Sequence, residues 1–253
     1  MAPDEESRRR ELDFVQWLDN IKHDAAAIFL LGDIFDFWFE YRHVVPRGFV
    51  RLLGKLAELS DNGIDIHFFT GNHDQWVGDY LKCEMNIRIY QQPAEFNING
   101  KIFLIGHGHC ISLENRNARL LHFLFGNRLL RKLYAALHPS WGVAFGKNWS
   151  IDSRKRRGAI EKLITLEYEK IYQFAQKTLA DGKHYDFFVF GHRHLALNIP
   201  LNENSRYINT GEWFEARTYA VFDGEEVKIE SRSGKTITSF PAIQSPTNLS
   251  PSE

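Results

Sequence analysis

Four segments of this chain share one design: an apolar run, a glycine, then side chains able to hold a metal ion. Ala27-Ile28-Phe29-Leu30-Leu31 precedes Gly32-Asp33, and Phe68-Phe69-Thr70 precedes Gly71-Asn72-His73-Asp74. Phe103-Leu104-Ile105 precedes Gly106-His107-Gly108-His109, and Phe188-Val189-Phe190 precedes Gly191-His192-Arg193-His194. Asp33 supplies a carboxylate that can bridge two cations, Asn72 a neutral amide oxygen, and His107, His192 and His194 imidazole nitrogens. Mixed oxygen and nitrogen ligation points to Mn²⁺, Fe²⁺, Co²⁺ or Mg²⁺ more than to a thiolate-type zinc site. Two such ions about 3.5–4 Å apart activate a water and stabilise the oxygens of a phosphoryl group. Taken singly, each segment has an ordinary explanation, since Asp and Asn at turns bond their own backbone. The pair His192 and His194 says more, because alternate positions of an extended strand end point the same way. Four such segments in one chain carry the metal reading.

For these side chains to meet, the apolar runs must be strands of an open α/β sheet whose carboxyl ends lie on one side, where ligands bind. The spacing of Leu12, Val15, Leu18 and Ile21 predicts a helix from Asp4 to Lys22, feeding the strand at Ala27 to Leu31. Pro46 suits a first helical position, followed by a stripe of Phe49, Leu52, Leu53, Leu56 and Leu59 that ends at Asp61-Asn62-Gly63. A strand from Ile64 to Thr70 follows. Asn99-Gly100 lies between two alternating runs, Glu95 to Ile98 and Lys101 to Ile105, which is a hairpin signal. Leu113 to Ala180 reads as helical, with a break at His138-Pro139. Strands resume at Asp186 to Phe190, Leu195 to Pro200, Arg206 to Asn209 and Thr218 to Phe222. The expectation is one α/β domain over residues 1–230, interrupted by a helical insertion at 113–180, with a flexible tail at 231–253.

With 253 residues and 43% hydrophobic content, the chain can bury one large core. No apolar run reaches the roughly 18 residues of a membrane span, and Met1 to Glu6 lacks the order of a signal peptide, so a cytoplasmic location is expected. Cys83 and Cys110 make neither a disulfide framework nor a zinc knuckle and are expected to be packing residues. The net charge of −1 hides an asymmetry. Between Asn115 and Ile160 ten Lys/Arg face Asp152 alone, which makes that segment +9 and the remainder −10. A cationic module therefore sits on an acidic body. Nucleic acid is disfavoured as its partner, because the module's aromatics are embedded among leucines, unlike a stacking platform.

The succession Gly-Asp, Gly-Asn-His-Asp, Gly-His and Gly-His-Arg-His resembles the calcineurin-like metallophosphoesterases. That resemblance implies a double β-sheet sandwich flanked by helices, with two divalent metal ions at the strand ends. Asp33 would bridge the ions, Asn72, His107 and His192 would hold the second, and His194 would help hold the first. His73 and Asp74 would be catalytic, His73 facing the substrate phosphate and Asp74 orienting it. Within the superfamily, Leu31 to Trp38, Val44 to Phe49 and the insertion after His107 look like the diphosphatases of UDP-2,3-diacylglucosamine. Those enzymes release UMP and a lipid sugar phosphate in lipid A synthesis, which implies Mn²⁺, a nucleotide-activated lipid substrate and peripheral association with the inner membrane. The cationic insertion suits such a substrate: Asn115, Arg116, Arg154, Lys155 and Arg157 are expected to bind it. Leu121, Phe123, Leu124, Phe125, Leu130 and Leu133 could line a groove for acyl chains.

The chain departs from the pattern in three places. The family has a strand and an Asp-x-His motif ahead of Gly-Asp, and here none precedes Gly32-Asp33; His23-Asp24 has the reverse order. The expectation is that the sequence is incomplete by that strand, and that as written it folds poorly and lacks two ligands of the first metal. His73 stands where many of these diphosphatases have Arg, and His109 where Asp is common. Two other functions therefore stay open, a metallophosphoesterase for another nucleotide or phosphodiester and a non-catalytic scaffold of the same fold.

Overall fold

The computed structural model describes residues 5–111, 123, 126–146 and 169–237. In chain order the elements are α1 (Glu5–Ile21), β1 (Ala27–Leu30), α2 (Val50–Asp61), β2 (Asp65–Phe69), α3 (Tyr80–Met85), β3 (Arg88–Tyr90), β4 (Ala94–Ile98) and β5 (Lys101–Gly106). They continue with α4 (Arg128–Ala135), α5 (Lys170–Ala180), β6 (Phe187–Phe190), β7 (Ala196–Pro200), β8 (Arg206–Thr210), β9 (Thr218–Phe222) and β10 (Val227–Ser231).

The strands β1, β2 and β3 form a parallel sheet in that order, with Ala27 opposite Asp65 and His67 opposite Arg88. A second sheet runs β4-β5-β6-β8-β7, parallel through β5, β6 and β8 and antiparallel at both rims. β9 and β10 make an antiparallel pair. Period-two alternation sorts the side chains into layers. Ile28, Leu30, Ile66 and Phe68 face α1 and α2, whereas Phe29, Leu31 and Phe69 share a core with Phe103, Ile105, Phe187, Val189 and Ile208. Leu104, Phe188, Phe190 and Tyr207 point the other way, onto Ile171 and Ala175 of α5. The result is the expected mixed α/β sandwich, helices outside and two sheets within. It places the carboxyl ends of β1, β2, β5 and β6 on one side.

Several local expectations need correction. The buried positions of α1 are Ser7, Glu11, Phe14 and Leu18, while Leu12 lies 40% exposed. Glu11 is buried because its Oε1 accepts from the Arg51 and Leu52 N–H groups, 3.1 Å each, at the start of α2. That helix begins at Val50, not at Pro46, and Phe49 before it has φ 58° and no side-chain cap of its own. The hairpin falls where expected, with Asn99 and Gly100 at φ 52° and 80°, the pair of positive angles a tight two-residue turn requires. β10 was not anticipated. Residues 232–237, expected in the tail, double back on it, with Ile237 N–H donating to Ile229 O at 2.8 Å. Cys83 is exposed on α3 and is not a packing residue; Cys110 is half-buried.

Candidate metal centre

Each site residue follows a strand end directly, and the backbone there is unusual. Asp33, His192 and His194 have φ of 55°, 65° and 52°, a left-handed region that Asp and His visit more readily than most residues. Gly71 permits the two aspartate loops to touch: a Cβ at this position would lie 2.1 Å from Asp33 Oδ1 and 2.4 Å from Asp33 N. Asp74, fully buried, binds the same loops together. It accepts from the N–H groups of Gly71 at 2.6 Å, Ile34 at 2.8 Å, Asp33 at 3.2 Å and Phe35 at 3.3 Å. Burial and the Asp33 carboxylate push its carboxyl up, against donors that favour the charged form.

Asp33, His107 and His192 converge, with one possible ligand atom from each lying within 4.8 Å of the others. Asp33 Oδ1 accepts from His73 N–H at 2.9 Å, and Oδ2 lies 3.5 Å from His107 Nε2. His107 Nδ1 lies 2.6 Å from the Leu31 carbonyl, which can only accept, so Nδ1 carries the proton and Nε2 presents a lone pair. His192 Nδ1 faces that Nε2 at 3.2 Å. Burial pushes the His107 imidazole down in pKa, although Asp33 pulls it up, which favours the neutral form that binds metals. Burial pushes Asp33 up, but the His107 and His73 imidazoles, the His73 N–H and His192 outweigh it and hold the carboxyl below its usual range. The Asn72 Oδ1 atom is buried and has no hydrogen-bond partner among the described residues. A carboxylate and two imidazoles in one place, with an unpartnered buried amide oxygen on the loop whose Gly71 and His73 meet Asp33, form a donor set that a hard-to-borderline divalent cation satisfies.

The other anticipated residues lie outside this three-residue cluster or outside the described residues. His73 is half-buried, its Nδ1 3.2 Å from the Asp36 carbonyl, so its Nε2 is the atom turned to other partners. His194 is exposed and stands outside the three-residue cluster. Asn115, Arg116, Arg154, Lys155 and Arg157 lie outside the described residues, as do Leu121, Leu124 and Phe125. Phe123 is 67% exposed, Leu130 38% and Leu133 59%. Sequence reasoning assigned no role in the site to His109, whose buried ring lies 5.2 Å from His107 and 6.5 Å from His192 between centroids. Its spacing from His107, the same as that of His194 from His192, was the available signal. Nor did it find the support beneath the last loop, where Asn209 Nδ2 donates to Gly191 O at 2.5 Å.

Residues 9–196 match the model of the calcineurin-like phosphoesterase family. The chain is 42% identical over 227 residues to a Porphyromonas gingivalis protein named UDP-2,3-diacylglucosamine hydrolase, covering 85% of this chain and 87% of that protein. It is 22% identical over 224 residues to a Psychromonas ingrahamii protein of the same name, with 87% and 89% covered. Among solved structures it is similar to Yfce, a phosphoesterase from E. coli, at a TM-score of 0.45 and 13% identity, with 93% of each chain covered. With a family match that spans most of its length and strand-end loops that gather a metal-binding donor set, the chain belongs to the calcineurin-like phosphoesterases, metal-dependent hydrolases of phosphoric esters.

Proposed function

We propose that this chain hydrolyses the pyrophosphate of UDP-2,3-diacylglucosamine, releasing UMP and the lipid sugar 1-phosphate, with two divalent ions, Mn²⁺ foremost. The observation that carries the reading is the convergence of Asp33, His107 and His192, with the buried Asn72 oxygen unpartnered on the loop that meets Asp33. The name of the 42% identical relative supports the substrate. In this reading Asp33 would hold both ions, Asn72, His107 and His192 would hold one of them with it, and His194 would help hold the other. When bound, such ions supply Lewis acidity toward the phosphoryl oxygens and lower the pKa of an attacking water. The chain's own groups prepare the site. The Leu31 carbonyl fixes the His107 tautomer, the His73 N–H holds one Asp33 oxygen, and His73, with Nδ1 committed to the Asp36 carbonyl, leaves Nε2 as the ring atom to meet the leaving oxygen.

The proposal extends to the membrane. Leu129, Leu133, Trp141 and Phe145 are 65%, 59%, 73% and 61% exposed on α4 and the helical residues 139–146, interleaved with Arg131 and Lys132. Exposed apolar side chains on two neighbouring helical segments, with cations close in sequence, suit the surface of an anionic bilayer, from which an acylated substrate would be taken. Asn115, Arg116, Arg154, Lys155 and Arg157 are assigned to the substrate's pyrophosphate and sugar. No helix among the described residues is long and apolar enough to cross a membrane.

The test follows UMP release from UDP-2,3-diacylglucosamine on anionic vesicles with Mn²⁺ added, using the sequence as it stands and a variant carrying an added strand with Asp-x-His. UMP release is expected, abolished by chelation and by Asp33→Asn, with protein sedimenting on the vesicles at low salt and released at high salt. Silence of the extended protein would overturn the assignment. Equal turnover of simple nucleotide esters would move it to another phosphodiester substrate, and a folded protein that binds no Mn²⁺ would make it a scaffold.

A further inference from the structure

Arg193 lies between two anticipated ligands, His192 and His194, yet its own side chain is only 11% exposed. Its Nε lies 3.4 Å from Oε1 of Glu169, whose side chain is 4% exposed. Glu169 is the N-cap residue of α5, and its other oxygen, Oε2, accepts from the Tyr172 N–H at 2.5 Å. The carboxylate is thus fixed by the first turn of a helix whose dipole also favours a negative charge there. On the other side of the contact the loop is short and conformationally unusual. Gly191 O accepts from both Asn209 Nδ2 at 2.5 Å and the Arg193 N–H at 2.8 Å, and the residues flanking Arg193 hold φ of 65° and 52°. A loop with left-handed residues on both sides of one position keeps that geometry only if its surroundings over-determine it. At this separation Arg193 Nε and Glu169 Oε1 are held by charge rather than by a hydrogen bond, and losing either partner would leave the other's buried charge without its ion pair.

We propose that Arg193 and Glu169 are positioning residues of the metal centre: their buried ion pair ties the loop carrying His192 to the start of α5 and so sets the His192 imidazole against His107 and Asp33. The inference rests on the metal-centre reading given above. Arg193 touches no reacting group in this role; it acts through the backbone it holds.

Mn²⁺ affinity of the full chain, read from the electron paramagnetic resonance signal of free Mn²⁺ during titration, tests this without recourse to turnover. Arg193→Met and Glu169→Gln are each expected to weaken binding by about 10–100-fold, as loss of an outer-shell partner does. The double variant should be no weaker than the worse single one, because both remove the same tether. Arg193→Lys keeps the charge without the planar fork and should recover about half of the logarithmic loss. Variants that melt at lower temperature but bind Mn²⁺ like the parent would overturn the proposal by making the pair purely structural. Should Arg193→Met fail to fold, Arg193→Lys carries the test, with parental affinity counting against the proposal and a loss of about threefold or more for it. A parent chain that binds no Mn²⁺ would overturn the metal reading itself, an outcome distinct from equal binding by parent and variants.

Discussion

Asp33 is shaped as much by what is missing at position 71 as by what surrounds it. Two loops approach so closely there that a single methyl group would sit inside the carboxylate's own radius. Gly71→Ala should therefore displace Asp33 and weaken both Mn²⁺ binding and turnover by about 100-fold, the scale of a misplacement near 1 Å. Gly54→Ala is the matching control: nothing lies within 4 Å of a Cβ there, and Ala in the exposed face of α2 should stabilise by about 0.5–1 kcal/mol. Comparison of the two by Mn²⁺ titration and thermal melting separates a site effect from a glycine effect. The residues proposed as ligands, Asp33, Asn72, His107 and His192, were legible because each follows a glycine at or just past a strand end, so chemistry and geometry share one short sequence pattern. Arg193 and Glu169 were not, since they meet only after the chain has passed through α5 and β6, and no local pattern marks a pair of that kind.

The helices repeat this lesson at the next scale. An amphipathic reading of α1 favours its leucines, yet Glu11 is buried and Leu12 exposed. The reason lies in another element: α2 starts after a left-handed phenylalanine with no cap of its own, and Glu11 supplies the missing acceptor across the interface. Glu11→Ala should cost about 1–2 kcal/mol, measured by urea denaturation, while leaving Mn²⁺ affinity unchanged. Strands were easier to find than helix ends, because apolar runs buried on both faces leave a strong signature whatever their neighbours do. β10 escaped notice because Val227-Lys228-Ile229-Glu230-Ser231 is short and half polar, and becomes a strand by pairing with β9.

Across the whole molecule, the space between the two sheets holds one titratable surprise. His67 on β2 is buried, stacked on Phe29 at 4.5 Å between ring centroids, with Nδ1 3.0 Å from the Tyr90 hydroxyl and with Arg88 and Asp65 the nearest charges. Burial, then Arg88, lowers its pKa from the ordinary 6.5, while Asp65 opposes the shift. The folded state therefore takes up a proton less readily than the unfolded chain. His67 places no charge in the core above pH 6.5, and stability falls as pH drops through the window between that value and the lowered one. His67→Phe should remove this component, so melting curves of parent and variant should diverge as pH is taken from about 7.5 down to about 5. A constant difference between them would show that the imidazole titrates alike in the folded and unfolded states, against a pKa lowered by burial.

The alternation that builds the layered core also leaves β6 with a problem of identity. Phe187-Phe188-Val189-Phe190 offers nearly the same apolar surface to both sides, so sliding the strand by one residue would exchange its two faces at little cost in burial. Hydrophobicity alone does not tell this strand which way it faces. The polar contacts just beyond it do: Asn209 on Gly191, and Glu169 on Arg193, each fit one register and would be broken by the other. The same few polar contacts that aim an imidazole thus also favour one threading of a central strand, and an error there would be an error of alignment before it became an error of chemistry.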